Sequence, residues 1–233
     1  MHISNVPQMN APSKTSVNAL VEALLDRHGT TYAGELGIDL AANTPSALFR
    51  WLCAALLMSA RISSPIALKA ARALADAGWT TPHAMAESSW EERVRVLNHS
   101  GYARYDESTA RMLGDTVQLL IDEYGGDLRE LRETAGRDPR QERKLLKAFK
   151  GIGDVGADIF FREVQAAWKE LYPFADRKAL AAASKLGLPD TANGLASLVA
   201  QEDFPRLVAA LVRTELAKDH DAVRASNAEL GPA

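Results

Sequence analysis

Residues 145–161 read LLKAFKGIGDVGADIFF, with three glycines in six positions and apolar side chains on either side. The spacing Gly151-x-Gly153-x-x-Gly156 matches the fingerprint of dinucleotide-binding folds. Asp176 lies about 20 residues further on, where such folds carry a ribose-binding acid. The fingerprint works only directly after a β-strand that opens a βαβ unit, so the residues before the glycines decide its meaning.

The segment before the glycines has the pattern of a helix. Asp138 and Gln141 form a D-x-x-Q cap, and Pro139 takes the first helical position. The apolar face of this helix consists of Leu145, Leu146 and Phe149. After the glycines, apolar residues recur with helical spacing from Ile159 to Leu171. The arrangement is helix, glycine hairpin, helix, and this context excludes a dinucleotide site.

The rest of the chain also carries helical patterns. Thr44-Pro45 begins a helix, and the residues that follow, SALFRWLCAALLMSA, are apolar almost all round and are predicted to be buried. Further helix starts are Ser64-Pro65, Thr81-Pro82, the capping box Ser89-x-x-Glu92 and Asp127-x-x-Glu130. The sequence has no alternating apolar and polar runs and no Asp-Gly dipeptide, and no such runs flank its Asn-Gly dipeptide at 193–194 as a hairpin would require. It therefore predicts an all-α fold.

Composition and charge are those of an ordinary globular protein. The 233 residues are 47% hydrophobic and 24% charged, with a formal net charge of −3. Residues 1–16 lack the apolar core of a secretory signal, and the longest strongly apolar run, 51–58, is too short to cross a bilayer. The single cysteine excludes a four-thiolate iron–sulfur cluster, and the five histidines lack zinc-ligand spacing. We therefore expect a cytoplasmic protein without a structural metal.

A glycine hairpin between two helices has two interpretations. Its backbone amides and the N-terminus of the second helix suit a nucleic-acid phosphate, and glycines on both sides of Ile152 allow positive φ angles and close approach. The same shape also serves as a tight corner beside a solvated basic helix. Residues 137–150 carry six cations against Asp138 and Glu142, in a chain of negative net charge. This local charge favours phosphate binding.

A resemblance to a known family extends over much of the chain. The helix-hairpin-helix of the endonuclease III superfamily of DNA glycosylases resembles LLKAFKGIGDVGADIFF. That family's early buried helix and the loop after it resemble FRWLCAALLMSARISSPIALKAARAL, its Gly-aromatic turn resembles VLNHSGYARYDESTARML, and its Gly-containing turn resembles EYGGDLREL. These segments occur in the family's order.

The resemblance implies an endonuclease III-like two-domain helical fold. A six-helix domain would span residues 44–172 and contain the helix-hairpin-helix at 139–171. A second helical domain would form from residues 1–43 and 173–233, and DNA would bind in a groove between the two domains.

Asp176, in YPFADRKAL, occupies the position of the family's aspartate after the second hairpin helix. The resemblance implies that its carboxylate stabilises an oxocarbenium-like state at C1′ and aligns water, as in glycoside hydrolysis. Asp176 also fits the N-cap of a helix over 177–186, and the two roles are compatible because a helix N-terminus favours an ionised carboxylate. Since asparagine is an equally good cap, we expect Asp176→Asn to leave stability nearly unchanged.

Val155 stands two residues after Gly153, where bifunctional family members carry a lysine that forms a Schiff base. Valine cannot form an imine, so the resemblance implies a monofunctional glycosylase that uses water. The family's cluster-binding cysteines are missing, as in its iron-free branches, and no cofactor is expected, although the hairpin carbonyls are a candidate site for a monovalent cation. The DNA contacts that the resemblance implies are Lys147, Lys150, Gly151, Ile152, Gly153, Asp154, Val155, Gly156 and Arg177.

Base flipping requires a side chain that fills the gap left in the duplex. The resemblance puts Arg61, in MSARIS, at the position of an inserting residue, although an arginine at a helix end is also an ordinary surface residue. His99 and Tyr102, in NHSGYARY, are candidates for a second wedge or for a stacking surface in the base pocket. Asp106 and Glu107 follow where family members often carry basic residues, which weakens the expected DNA affinity.

The leading hypothesis is a monofunctional DNA glycosylase of base excision repair that removes a damaged base, for example an alkylated one, from double-stranded DNA. We expect a monomer associated with the nucleoid. The alternative is a non-catalytic helix-hairpin-helix protein that binds DNA or a lesion without cutting it. Asp176 separates the two hypotheses, because only the glycosylase needs its carboxylate.

Overall fold

The computed structural model describes residues 14–229, with side chains for residues 17–225. Within this range the chain is helical and has no β-strand, so the predicted all-α class is confirmed. The α-helices are α1 (Lys14–His28), α2 (Tyr32–Glu35), α3 (Pro45–Ser59), α4 (Ser64–Asp76), α5 (Pro82–Ala86), α6 (Trp90–His99), α7 (Asp106–Tyr124), α8 (Leu128–Thr134), α9 (Pro139–Leu146), α10 (Asp154–Val164), α11 (Arg177–Leu186), α12 (Ala192–Ala196), α13 (Phe204–Ala217) and α14 (His220–Glu229). Short 3₁₀ helices lie at Lys169–Leu171 and Gln201–Asp203. None of the described helices is long and apolar enough to span a membrane.

The described chain forms two compact units, which are residues 30–176 and residues 14–29 with 177–229. These boundaries differ from the expected ones, which lay at 43/44 and 172/173. Glu163 accepts hydrogen bonds from the first two N–H groups of α2, at 2.8 and 2.7 Å, and so ties α2 to the 30–176 unit. The second boundary follows from contacts of residues 173–176 with α10, described below.

Helix α3 is the centre of the 30–176 unit. Most of its side chains are buried, as its apolar sequence predicts. Helices α4 and α10 pack against it, and the indole N–H of Trp51 donates to the carbonyl oxygen of Phe160 at 3.0 Å. The second helix of the hairpin is therefore fixed to the most buried helix of the unit.

The other unit is built on α13, which packs against α1 and α11. Its core contains the buried side chains of Leu207, Val208 and Leu211. Asp219, in the turn after α13, accepts from Arg27 Nε at 2.5 Å and pairs with His28 Nε2 at 2.9 Å. Of the predicted DNA contacts, this unit carries Arg177, which is exposed at the start of α11.

A buried carboxyl group lies on α9, the first helix of the hairpin. The side chain of Glu142 is fully buried. Burial raises the pKa of Glu142 to about 8, and the carboxylates of Glu170 and Asp138 act in the same direction. Arg132 opposes this shift. Arg132 binds Glu170 through two hydrogen bonds of 2.5 and 2.6 Å and contributes to the lowered pKa of Glu170. Below about pH 8, Glu142 is therefore the protonated member of the pair.

Replacing Glu142 by its neutral isostere is expected to flatten the pH dependence of stability. Between pH 4.5 and about 8 the unfolded chain ionises Glu142 while the folded chain keeps the proton, so the free energy of unfolding of the wild type falls as pH rises through this window. Glu142→Gln should remove this fall, and its advantage over wild type should grow with pH across the window. Urea unfolding at the two ends of the window measures the difference. Glu133→Gln, at an exposed site on α8, is the control, and parallel pH curves for Glu142→Gln and wild type would contradict the prediction.

Candidate functional site

The hairpin between α9 and α10 contains one residue whose backbone conformation only glycine adopts readily. Gly151 has a φ of +90°, in the left-handed region. A Cβ on Gly151 would lie 2.9 Å from Met112 Sδ and 3.3 Å from Leu56 Cγ. Ile152 is buried, and Gly156 leaves it room, because a Cβ on Gly156 would lie 3.2 Å from Ile152 Cδ1. The turn and the packing of the hairpin therefore explain Gly151 and Gly156.

Gly153 differs, because nothing inside the protein requires a glycine there. Its φ of −92° and ψ of −161° are ordinary extended backbone, so the expectation of a positive φ is right for Gly151 and wrong for Gly153. A Cβ on Gly153 would meet no atom within 4 Å, and the residue is exposed. Gly153 is the N-cap of α10, and it has no side chain to bond the first N–H groups of that helix. The N-terminus of α10 is thus open to close approach from outside.

Both lysines predicted as phosphate contacts have carboxylate partners. Lys147 Nζ lies 2.7 Å from Asp154 Oδ1, and Lys150 Nζ lies 3.3 Å from Asp115 Oδ2 on α7. Lys147 holds the pKa of Asp154 below its ordinary value. Exposed ion pairs of this kind contribute little to stability, so a phosphate can replace the carboxylate at either lysine.

The end of α3 lies against the hairpin. Ser59 Oγ lies 2.7 Å from the carbonyl oxygen of Leu56 and 3.1 Å from that of Gly151, and Arg61 follows two residues later in the loop before α4. Arg61 is exposed and has no salt bridge among the described residues, so it is available as an inserting side chain. The carbonyl of Gly151 is within hydrogen-bond distance of the Ser59 hydroxyl, and a monovalent cation at the hairpin carbonyls stays a prediction. Among the described residues no group of acidic, histidine or cysteine side chains could hold a metal ion.

Of the two candidates in the turn after α6, one is at the surface and the other is not. His99 is exposed at the end of α6. Tyr102 is fully buried, and its hydroxyl donates to the carbonyl oxygen of Leu57 at 3.0 Å. The prediction that Tyr102 is a wedge or stacking surface is therefore wrong, because the chain turns inward after Gly101, whose φ is +89°. Tyr102 instead fixes this turn to the end of α3, beside the hairpin.

Asp176, the predicted catalytic carboxylate, is buried and ion-paired. Its side chain is only 6% exposed, and Arg162 Nη2 lies 2.5 Å from Asp176 Oδ2. Helix α11 begins at the next residue, as predicted. Arg162 lies on α10, and its own side chain is 8% exposed.

Sequence reasoning missed Arg162, although a signal was present. Residues 159–164 of α10 are all buried, and Arg162 and Glu163 are the charged members of this otherwise apolar run. A charge is almost never fully buried unless it is paired, so an arginine there indicates a buried acidic partner. The sequence alone does not say which acid that is.

Val155 is 57% exposed, which is unusual for an apolar side chain in this protein. It lies in the first turn of α10, one residue after Asp154. The position that carries a lysine in bifunctional members of the resembled family is therefore apolar and at the surface. Together with the open cap at Gly153 and the lysines beside it, these features define a helix-hairpin-helix whose exposed side presents unbonded N–H groups and cations.

Comparison with known proteins identifies the fold. No protein-family model matches the chain, and no curated protein matches it. Two similar solved structures are a non-covalent complex of endonuclease III with DNA and a trapped covalent intermediate of endonuclease III with DNA, in an estranged-adenine complex. Each is 18% identical, with 87% of this chain and 86% of the other chain covered, and the TM-scores are 0.52 and 0.50 respectively. The chain has an endonuclease III-like fold, and the resemblance is confirmed at that level.

Proposed function

We propose that the protein is a DNA glycosylase that hydrolyses the bond between a damaged base and C1′ of its deoxyribose in double-stranded DNA. The observation that carries the proposal is the open N-terminus of α10 at Gly153. Packing inside the protein does not require a glycine at position 153. Close approach of an outside ligand to the backbone does require one. The fold is one that two DNA-bound endonuclease III structures also have.

The hairpin would hold a phosphate of the DNA backbone. The first N–H groups of α10 and the positive end of its dipole would bind one phosphate group. The missing Cβ at Gly153 would let that phosphate reach the backbone. Lys147 and Lys150 would exchange their carboxylate partners for phosphates. Arg61 and His99, both exposed, would fill the gap that a flipped nucleotide leaves.

Asp176 would act on the flipped nucleotide. As the bond from C1′ to the base nitrogen breaks, the bonding electrons leave with the base and positive charge develops on C1′ and the ring oxygen. A carboxylate beside C1′ stabilises that charge, and the oxygen of a water molecule then bonds to C1′ while one of its protons passes to the carboxylate. Val155 offers no amine for a Schiff base, so we infer that the product is an intact abasic site.

The wild-type protein is expected to release a base from at least one duplex in a panel of damaged substrates, of which duplexes with alkylated bases are tested first. It is also expected to leave the DNA strand uncut. Borohydride should trap no protein–DNA adduct, because the position two residues after Gly153 is valine. Release is measured by chromatography of the free base, cleavage and trapping by denaturing gels. A bifunctional glycosylase serves as the positive control for trapping. Efficient trapping by the wild-type protein would contradict the monofunctional assignment, with Lys150 and Lys178 as the amines to test next.

A second candidate function is a helix-hairpin-helix protein that binds DNA or a lesion without cutting it. The observation that favours it is the burial of Asp176 in an ion pair with Arg162. Tight binding of damaged duplexes with no base released from any of them would support this function instead.

We further propose that the protein is a monomer, that it works without a cofactor and that it acts on DNA of the nucleoid.

A further inference from the structure

Two buried side chains of α10 hold the segment that ends at Asp176. Gln165, at the C-cap of α10, is 2% exposed. Its Nε2 donates to the carbonyl oxygen of Phe174 at 2.9 Å, and its Oε1 accepts from the backbone N–H of Phe174 at 2.9 Å. Arg162 Nη2 donates to Asp176 Oδ2 at 2.5 Å. The chain is thus bound to α10 at Phe174 through its backbone and at Asp176 through its side chain.

Aromatic contacts hold the same segment from the side. The rings of Phe161 and Phe174 meet edge to face with their centroids 5.5 Å apart. The guanidinium carbon of Arg143, on α9, lies 5.1 Å from the centroid of Phe161 and 5.8 Å from that of Phe174. Phe174, two residues before Asp176, is therefore held by the two hydrogen bonds to Gln165, by the ring of Phe161 and by the guanidinium of Arg143.

The guanidinium of Arg162 is only partly hydrogen-bonded. Its Nε is buried and has no hydrogen-bond partner among the described residues. The guanidinium therefore binds Asp176 through Nη2 and not through Nε, although a bidentate arrangement would satisfy more donors.

Helix α10 thereby connects the two parts of the candidate site. Its N-terminus, at Gly153 and Asp154, is the proposed phosphate site, and its C-terminal end holds Asp176. An α-helix is stiff over this length, so the distance between a bound phosphate and the carboxylate is set by a single element. Such preorganisation matters because a misplacement of about 1 Å costs about a hundredfold in rate.

We propose that Arg162 and Gln165 are positioning residues for Asp176, through which α10 aligns the carboxylate with a nucleotide whose phosphate is bound at the hairpin. This inference rests on the proposed glycosylase function. Neither side chain contacts the DNA in this proposal, so both act on the rate of base release and not on affinity.

The test compares Arg162→Met and Arg162→Lys with a matched control, Arg93→Met. Arg93 is another buried arginine of the same unit, which donates to the carbonyl oxygens of Ser88 and Ala110 at 2.7 and 3.0 Å. Arg162→Met should lower the single-turnover rate of base release by about a hundredfold with duplex Kd within about twofold of wild type. Arg162→Lys should recover part of the rate, and Arg93→Met should lose stability without losing rate. Equal rates for Arg162→Met and Arg93→Met at equal loss of stability would overturn the proposal.

Gln165→Leu tests the second positioning residue independently. It leaves the N–H and carbonyl groups of Phe174 unpaired but keeps Arg162 and Asp176, so the rate should fall by about tenfold or more, again at constant Kd. In an Asp176→Asn background, Gln165→Leu and Arg162→Met should have no further effect on the residual rate. A further loss in that background would mean that these residues act other than through Asp176 and would overturn the proposal.

The carboxyl ¹³C resonance of Asp176 in the free protein gives a readout that needs no DNA. Arg162→Met and Gln165→Leu should shift this resonance, while Arg93→Met should leave it in place. An unmoved resonance in the first two variants would overturn the positioning role whatever the activity. If the protein releases no base from any substrate, a shifted resonance shows only that these residues contact the Asp176 segment, and the proposed function falls together with the positioning role that rests on it.

Discussion

Asp176→Asn is expected to reduce base release by at least about a hundredfold, the effect typical of removing a group that stabilises charge in a transition state. Asparagine keeps the shape of the side chain but cannot offer a negative charge to the developing cation at C1′. Duplex affinity should stay close to wild type, because the hairpin is unchanged. Single-turnover release and equilibrium binding measure the two effects separately.

The same substitution is also expected to destabilise the protein, contrary to the expectation from the sequence. Capping alone predicts little change, but Asp176 is paired with Arg162 in a buried site, and Asp176→Asn leaves that guanidinium without its charged partner. Breaking a buried pair from one side typically costs about 3–5 kcal/mol. Denaturant unfolding at neutral pH measures this loss.

The double variant Asp176→Asn with Arg162→Met separates stability from chemistry. Removing both charges should restore part of the stability, since a buried ion pair is often replaceable by apolar groups, while base release stays lost. If Asp176→Asn releases bases at the wild-type rate, Asp176 is a structural residue, and the glycosylase proposal loses its catalytic group.

Gly153→Val is expected to weaken duplex binding by about tenfold and to lower the slope of log K against log salt by about one unit, the change that follows from losing one phosphate contact. The physical reason is the Cβ branch, which keeps a phosphate away from the first N–H groups of α10. The effect should be the same for damaged and undamaged duplexes, because a phosphate contact carries no sequence information. Binding titrations at several salt concentrations measure both quantities.

The structure makes this a clean test, because Gly153→Val should leave the fold intact. Its backbone is extended and its Cβ would meet nothing within 4 Å. Gly153→Ala, with a smaller obstruction, should give a smaller loss of affinity. Gly151→Ala is the contrasting variant, since a φ of +90° and the contact with Met112 predict a loss of stability there. Unchanged affinity and salt slope in a folded Gly153→Val protein would remove the hairpin from the DNA interface.

The sequence by itself determined the all-α class, several helix starts and the hairpin. Thr44 and Ser89 accept hydrogen bonds from the N–H of the third residue of their helices as their spacing predicts, and Asp138 caps its helix through the N–H of the second residue instead, at Arg140. Such caps are predictable because they involve only residues within one helical turn. The apolar run that became α3 is buried, and Ile152 is seated between the helices as expected. The hairpin was recognisable for the same reason, since glycine and apolar residues at short spacing act locally on the backbone.

Tertiary structure alone decided which side chains meet. Tyr102 follows a polar turn, yet its side chain is buried. Its hydroxyl donates a hydrogen bond to the carbonyl of Leu57, 45 residues earlier in the chain. Lys150 is paired by Asp115 from α7, and Asp176 is paired by Arg162 from the helix before it. Backbone preference and periodicity are properties of neighbouring residues, whereas the partner of a polar group depends on how separate helices pack. For that reason the position of Asp176 was predictable from the sequence, and its burial against Arg162 was not.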